Sequence, residues 1–375
     1  MVRSSSLPKP RVLVFGAGSV GCYLGGRLAA AGVPVDFVGR SRIGRSVSRH
    51  GLSLSDYHGD HWRVPPEQIR FSSAVAGGEY DIVFVTVKTA ATPQAGRALA
   101  RVLNPGAVVI AFQNGLHNGD WLRELLPRCR VLSGMVPFNV LQRGEGRFHQ
   151  GSSGSLMLEA APGQASLRTA FARAQLPLSI QGDMRGVLWA KLLLNLNNAI
   201  NALSGLTLRE ELGQRDFRRC LAAAQREALF PLSVAGVRLA RMTAVPPQWM
   251  PKMLELPDRL YATVSAAAPT MDPLARSSMW EDLEAGRATE VEWINGEVIR
   301  LARSQGRDAP VNARLMQLVY EAEKGGERAW PATALWRELK AARRASQESR
   351  GRKRGQPDGG SAPDQEFGHQ PPGDG

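Results

Sequence analysis

A β-branched run from Arg11 to Phe15 leads directly into Gly16-Ala17-Gly18-Ser19-Val20-Gly21, and an Ala/Leu/Gly-rich stretch follows to Ala31. Strand, glycine loop and helix in that order are what a G-x-G-x-x-G loop needs to cradle a pyrophosphate. Gly16 would make the tight turn, Gly18 would let the backbone approach the phosphates, and Gly21 would let helix pack on strand. The helix N-terminus then faces the anion, with Ala17, Ser19 and Val20 of the loop as further cofactor-binding candidates. The bland alternative is a glycine turn in some other α/β protein. The next apolar run, Pro34 to Val38, ends in Gly39-Arg40-Ser41-Arg42. An acid there would bond the ribose 2′-hydroxyl of NAD. An arginine instead attracts a 2′-phosphate, so Arg40 favours NADP(H) over NAD. Against this stands a plain surface arginine, in a chain rich in them.

Lys88 and Asn114 each lie just beyond a strand-like run, at the carboxyl ends where doubly wound sheets bind ligands. A turn asparagine before Gly115 and a solubilising lysine are equally good readings from position alone. The segment Leu188 to Asn198 is apolar enough for a core helix, yet carries one lysine and several asparagines. On a helical wheel Asn195 lies about 40° from Lys191 and Asn198 about 20° on its other side. These three share one polar stripe, with Asn201 about 80° off at its edge. A polar stripe on a buried helix costs stability unless bonded, so it either meets another polar element or lines a wet cleft. Interhelical bonding with a snorkelling lysine remains open. Thr289-Glu290-Val291-Glu292 reads as a capping box, and on that reading both glutamates are helix-start residues.

The elements that must hold these residues follow from pattern. Runs at 11–15, 34–38, 80–87 and 107–112 alternate with helical stretches at 22–31 and 92–103, which argues a parallel, doubly wound sheet. The stretch 131–160 reads as further strands around Gly-rich turns. From Asp183 onward the chain reads as helices: one from Asp183 to Ser204, one opened by Asp272-Pro273 and ended by Gly286, one from the Thr289 box to Gln305, and one from Val311 to Lys324. The expected organisation is α/β at 1–182, helical at 183–336, and a basic then acidic disordered tail at 337–375.

The chain has 375 residues, 43% hydrophobic and 22% charged, which suits two globular domains and excludes a disulfide scaffold or a wholly disordered chain. Three separated cysteines with no C-x-x-C spacing give neither a zinc site nor a disulfide framework, and a cytoplasmic setting is expected. No run of 18 apolar residues spans a membrane, and the N-terminus reads as lacking a signal peptide. The formal net charge is +13. It suggests anionic ligands, either phosphorylated cofactors and carboxylates or nucleic acid. The basic cluster from Arg343 to Arg354 is the main support for nucleic acid, and such a run is more often a solvated end.

Together these residues resemble the ketopantoate reductase (2-dehydropantoate 2-reductase) family. The resemblance rests on the Gly16 to Gly21 loop, Arg40, Thr86-Val87-Lys88 and Gln113-Asn114-Gly115. Further along it rests on Leu188-Trp189-Ala190-Lys191-Leu192 with Asn195, Arg276-Ser277-Ser278-Met279, Thr289-Glu290-Val291-Glu292-Trp293-Ile294-Asn295-Gly296, and Ala309-Pro310-Val311-Asn312. Their order holds from about residue 11 to 325. The resemblance implies an N-terminal Rossmann-type domain, a helical C-terminal domain, and NADPH-dependent reduction of a 2-keto acid in pantothenate and coenzyme A biosynthesis.

By the same resemblance, Lys191 is the general acid on the ketone oxygen and Glu290 the acid that bonds the substrate hydroxyl. Asn195 and Ser278 bind substrate; Lys88 and Asn114 line the cofactor and substrate cleft. A homodimer is a candidate assembly. The sequence departs from the family after the lysine helix, where two residues are inserted and a proline is absent. The second substrate asparagine is then Asn198 by helix geometry or Asn201 by its Asn-x-Leu-Ser context, with Asn201 slightly favoured. Two rival readings are a reductase of another 2-keto acid and a dinucleotide-binding sensor that has lost catalysis.

Overall fold

The structure, a computed structural model, describes residues 10–265, 272 and 274–355. Short strands build its first half: β1 (Val12–Phe15) and β2 (Val35–Val38), then β3 (Leu52–Asp56), β4 (His61–Val64), β5 (Arg70–Ser72), β6 (Ile82–Val85), β7 (Val108–Ala111) and β8 (Arg130–Met135). β9 (Val140–Gln142), β10 (Arg147–Gln150), β11 (Leu156–Glu159) and β12 (Leu178–Gln181) complete the set. The helices between them are α1 (Ser19–Ala30), α2 (Ser41–His50), α3 (Thr92–Ala100), α4 (Asn118–Leu125) and α5 (Ala165–Arg173). The main sheet runs β12-β11-β8-β7-β6-β1-β2-β5. Its six strands from β5 to β8 are parallel and doubly wound, and β11 is antiparallel to β8. Strand order reverses between β1 and β6, the switch point where ligands bind in such sheets. β1 and β6 are apolar throughout because helices cover both faces, which is why they read as continuous hydrophobic runs. A second sheet, β4-β3-β10-β9, packs near α1 and is not legible in the sequence beyond a general expectation of strands at 131–160.

The second half is helical: α6 (Met184–Asn195), α7 (Asn197–Ser204), α8 (Leu208–Gly213), α9 (Arg215–Val234), α10 (Met250–Leu254), α11 (Asp258–Ser265), α12 (Ser278–Glu284), α13 (Asn295–Arg303), α14 (Pro310–Glu323) and α15 (Ala332–Gly355). Its core gathers Leu192, Leu196, Ile200, Leu221, Val298 and Leu315, among others, around α9. Asp183 caps α6 as expected, its carboxylate accepting from Gly186 N at 3.0 Å, and Gly205 ends α7 at φ 67°. The single expected helix 183–204 is interrupted at Leu196.

Three local expectations are corrected. Asp272 does not start a helix: its Oδ1 accepts from Leu274 N at 2.9 Å in a tight turn, and α12 starts only after Ser277, whose hydroxyl accepts from Trp280 N at 3.1 Å. Pro273 lies outside the described residues. The Thr289 capping box does not close, because the Glu292 carboxylate is taken by Arg300 and by Tyr320 Oη at 2.7 Å. A 3₁₀ turn at Val291–Trp293 results, and α13 starts at Asn295. The basic stretch 337–354 is not a disordered tail. It continues α15, which packs Leu335 and Leu339, both 0% exposed, onto α9 and α14. Composition misleads here because two leucines one helical turn apart suffice to dock a helix whose other faces are charged. The acidic stretch 356–375 and the first nine residues lie outside the described residues.

Candidate active site

The glycine loop closes the carboxyl end of β1. Gly16 adopts φ 111°, and a Cβ there would meet Val87 N at 2.5 Å; a Cβ on Gly21 would meet Gly16 O at 2.6 Å. Both positions therefore require glycine for backbone approach. Thr86 Oγ1 donates to Gly16 O at 2.8 Å, and the Gly16 and Ala17 amides both donate to Val38 O, at 2.9 and 2.8 Å. Gly18 differs: a Cβ there would find nothing nearer than 3.9 Å, so its backbone faces open cleft. The first turn of α1, which begins with Ser19 and Val20, carries no acidic side chain. The first-turn amides of α1, which have no acceptor inside the helix, and the open face at Gly18 fit a dinucleotide pyrophosphate. Arg40 follows β2, is exposed on the same cleft, and precedes the first turn of α2, where no side chain caps the backbone amides.

The cleft has a volume of about 2490 Å³ and runs between the two halves. That is well beyond the several hundred Å³ of an ordinary small-molecule pocket and leaves room for a dinucleotide and a second ligand. Lys88, Asn114, Lys191, Asn195, Asn198, Ser278 and Glu290 all line it. α6 carries Lys191 into the cleft because its opposite face, with Trp189 and Leu193, is buried in the helical core. Lys191 Nζ donates to Pro137 O at 3.1 Å, and burial lowers its pKa to about 8. One turn on, Asn195 Nδ2 donates to Asn114 Oδ1 at 3.3 Å; Asn114 Nδ2 donates to Glu290 Oε2 at 3.1 Å. Glu290 Oε1 accepts from Thr89 N and Thr89 Oγ1, both at 3.1 Å. A continuous relay thus ties α6, the β7 loop, the α12–α13 loop and the β6 loop. The failure of the capping box releases Glu290 for this position: it precedes the 3₁₀ turn instead of sitting inside a helix.

Asn201 is the site expectation the structure overturns. It is fully buried, donates to Glu211 Oε2 at 2.6 Å and Leu206 O at 3.1 Å, and accepts from Ser277 N at 2.8 Å. Its amide is satisfied within the protein and does not line the cleft. Asn198 does, on the stripe shared with Lys191 and Asn195. The interruption at Leu196 is too slight to rotate Asn201 inward. Ser278, at the first position of α12, is exposed to the cleft.

Asp282 escapes sequence reasoning. It is buried, bonds Lys88 Nζ across the cleft, and accepts from Arg287 Nε at 3.0 Å. The available signal is its place four residues after Ser278, on the same helical face. Thr89 escapes it too, although it follows Lys88 directly. His117 pairs with Glu297 at 3.2 Å and Trp121 meets Trp293 edge-on at 5.3 Å, so this side of the cleft is an inter-domain contact. Among the described residues no cluster of His, Cys, Asp and Glu could hold a metal ion, and no helix is long and apolar enough to cross a membrane.

Comparisons with known proteins point one way. The family model described as ketopantoate reductase PanE/ApbA matches residues 12–163, and that described as ketopantoate reductase PanE/ApbA C terminal matches residues 183–323. A 2-dehydropantoate 2-reductase of Archaeoglobus fulgidus is 30% identical, over 84% of this chain and 98% of its own length. The crystal structure of a PanE/ApbA family ketopantoate reductase from Ralstonia eutropha superposes with a TM-score of 0.71 at 29% identity, covering 84% of this chain and 99% of that one. D-mandelate dehydrogenase, in a ternary structure with NADH and anilino(oxo)acetate, shares the fold at a TM-score of 0.71 and 17% identity, over 84% of this chain and 99% of that one.

Proposed function

Because the chain belongs to the ketopantoate reductase family, we propose that it reduces ketopantoate (2-dehydropantoate) to (R)-pantoate with NADPH in the cleft between its two halves. The observation that carries this reading is the pairing of Lys191, held in the cleft by one side chain–backbone bond, with the Asn195–Asn114–Glu290–Thr89 relay opposite. When bound, the nicotinamide supplies the hydride. Lys191 meets the negative charge that grows on the ketone oxygen and delivers the proton that completes the alcohol. An ammonium with a pKa of about 8 is charged near neutrality and still acidic enough to give its proton up. Glu290 offers a carboxylate, oriented by Asn114 and Thr89, to the substrate hydroxyl. Asn195, Asn198 and Ser278 supply neutral donors and acceptors for the rest of the keto acid, and Lys88, anchored on Asp282, lines the cofactor side.

The preference for NADPH over NADH rests on Arg40 beside the open N-terminus of α2, two features that both favour a 2′-phosphate. A second reading, reduction of a 2-keto acid with a larger apolar side chain, is favoured by Met242, Val245, Met250, Met253 and Tyr261, which line the same cleft. The deciding experiment follows NADPH consumption with ketopantoate and with a panel of apolar 2-keto acids. Turnover with ketopantoate far above the panel supports the first reading. Faster turnover with an apolar keto acid supports the second, and silence across the panel with NADPH bound removes both.

A further inference from the structure

The buried carboxyl of Glu211 has no part in the cleft chemistry, yet it stands at the root of one cleft wall. It is 0% exposed on α8, and among the described residues no Lys, Arg or His pairs with it. Its Oε2 accepts from Asn201 Nδ2 at 2.6 Å. Asn201 Oδ1 in turn accepts from Ser277 N at 2.8 Å, and Ser277 Oγ donates to Asn198 O at 3.2 Å while capping α12. The Leu208 amide adds a bond to Ala275 O at 2.9 Å. The turn before α12 is therefore hung on α7 and α8 through one short chain of bonds. α12 carries Ser278 at its first position and Asp282, the anchor of Lys88, one turn later.

We infer that Glu211 is a positioning residue for substrate: through Asn201 it sets the Ser277–Ser278 turn and so the spacing between Asn198 on α7 and Ser278 on α12. This rests on the proposed keto-acid site. The ionisable side chains around the carboxyl are Cys220 of α9 and Tyr261 of α11, both neutral. Burial raises the Glu211 pKa to about 8, so the group acts as a neutral acid with one oxygen accepting from Asn201. The other oxygen, Oε1, has no partner, and neither has the buried Asn197 Oδ1, whose side chain approaches the same carboxyl. An O–H on Oε1 with the Asn197 amide turned toward it satisfies both atoms. A neutral glutamine keeps the bond to Asn201, whereas alanine removes it.

The test compares Glu211→Gln, Glu211→Ala and Asn201→Ala in the full chain. Glu211→Ala is expected to raise the keto-acid KM about tenfold, with kcat within about threefold and NADPH affinity unchanged, as for loss of ground-state positioning. Glu211→Gln is expected to restore the KM, and Asn201→Ala to reproduce the Glu211→Ala defect should that variant fail to fold. Amide hydrogen exchange gives a second readout that needs no turnover. The peptide over 275–284 should exchange faster in Glu211→Ala and Asn201→Ala but not in Glu211→Gln. Unchanged exchange there, or a kcat loss with an unchanged KM, overturns the inference. A wild type that turns over no keto acid defeats the proposed function instead and leaves the exchange result to decide this one.

Discussion

Lys191 serves two opposed requirements. Burial among apolar groups disfavours its charge and brings its pKa down to about 8, while the reaction needs that charge. The rate of keto-acid reduction should therefore fall as pH rises through about 8, where the ammonium becomes an amine with no proton to give. A profile flat to well above that pH would assign proton delivery to another group. Lys191→Ala should lower kcat at least about 100-fold while NADPH still binds, since the loss falls on the transition state. Loss of NADPH binding as well would remove Lys191 from the acid role. At Arg40 the interaction at stake is one charge-assisted contact. Arg40→Ala should narrow the NADPH over NADH preference about tenfold or more, measured as the ratio of kcat/KM values. An unchanged ratio would place the 2′-phosphate contact elsewhere on the cleft.

Helix starts show where local pattern suffices and where it does not. Asp183 caps α6 with its own side chain, a bond made within three residues, so the pattern alone locates it. Asp183→Ala should cost about 1 kcal/mol in chemical denaturation, and no loss would mean another group caps the helix. Asp272 and the Thr289 box carry equally good local signals that lose to distant partners. Asp272 turns back on Leu274 and pairs with Arg143 at 3.2 Å; Glu292 goes to Arg300 and Tyr320. A cap contributes about as much as one such bond, so the better placed partner wins.

At the scale of the whole molecule, α15 joins the helical half through Leu335 and Leu339, with Arg314 Nε donating to Glu338 Oε1 at 2.7 Å. Truncation after residue 340 keeps both leucines and should leave keto-acid reduction intact. Truncation after residue 331 removes both and should cost about 3–6 kcal/mol of stability, seen as a lower denaturant midpoint. Equal stability of the two truncations would mean that α15 adds nothing to the core.

Several features of this protein follow from local sequence by itself. β1, the Gly16 to Gly21 loop and α1 are contiguous, and the need for glycine there comes from backbone approach within that unit and its neighbouring strand. The stripe of Lys191, Asn195 and Asn198 is likewise legible, because helix geometry holds their relative directions whatever packs around them. The pairing of Lys88 with Asp282, 194 residues away, is a matter of tertiary structure alone. So is the role of Glu290, which looks like a helix cap until Thr89 and Asn114 stand opposite it. Asn201 marks the boundary most sharply. Its sequence context suits a substrate group as well as that of Asn198 does, while the helical wheel leaves it only at the edge of the polar stripe. Packing turns it toward Glu211 and Ser277, because a buried amide must find its partners and the core supplies them.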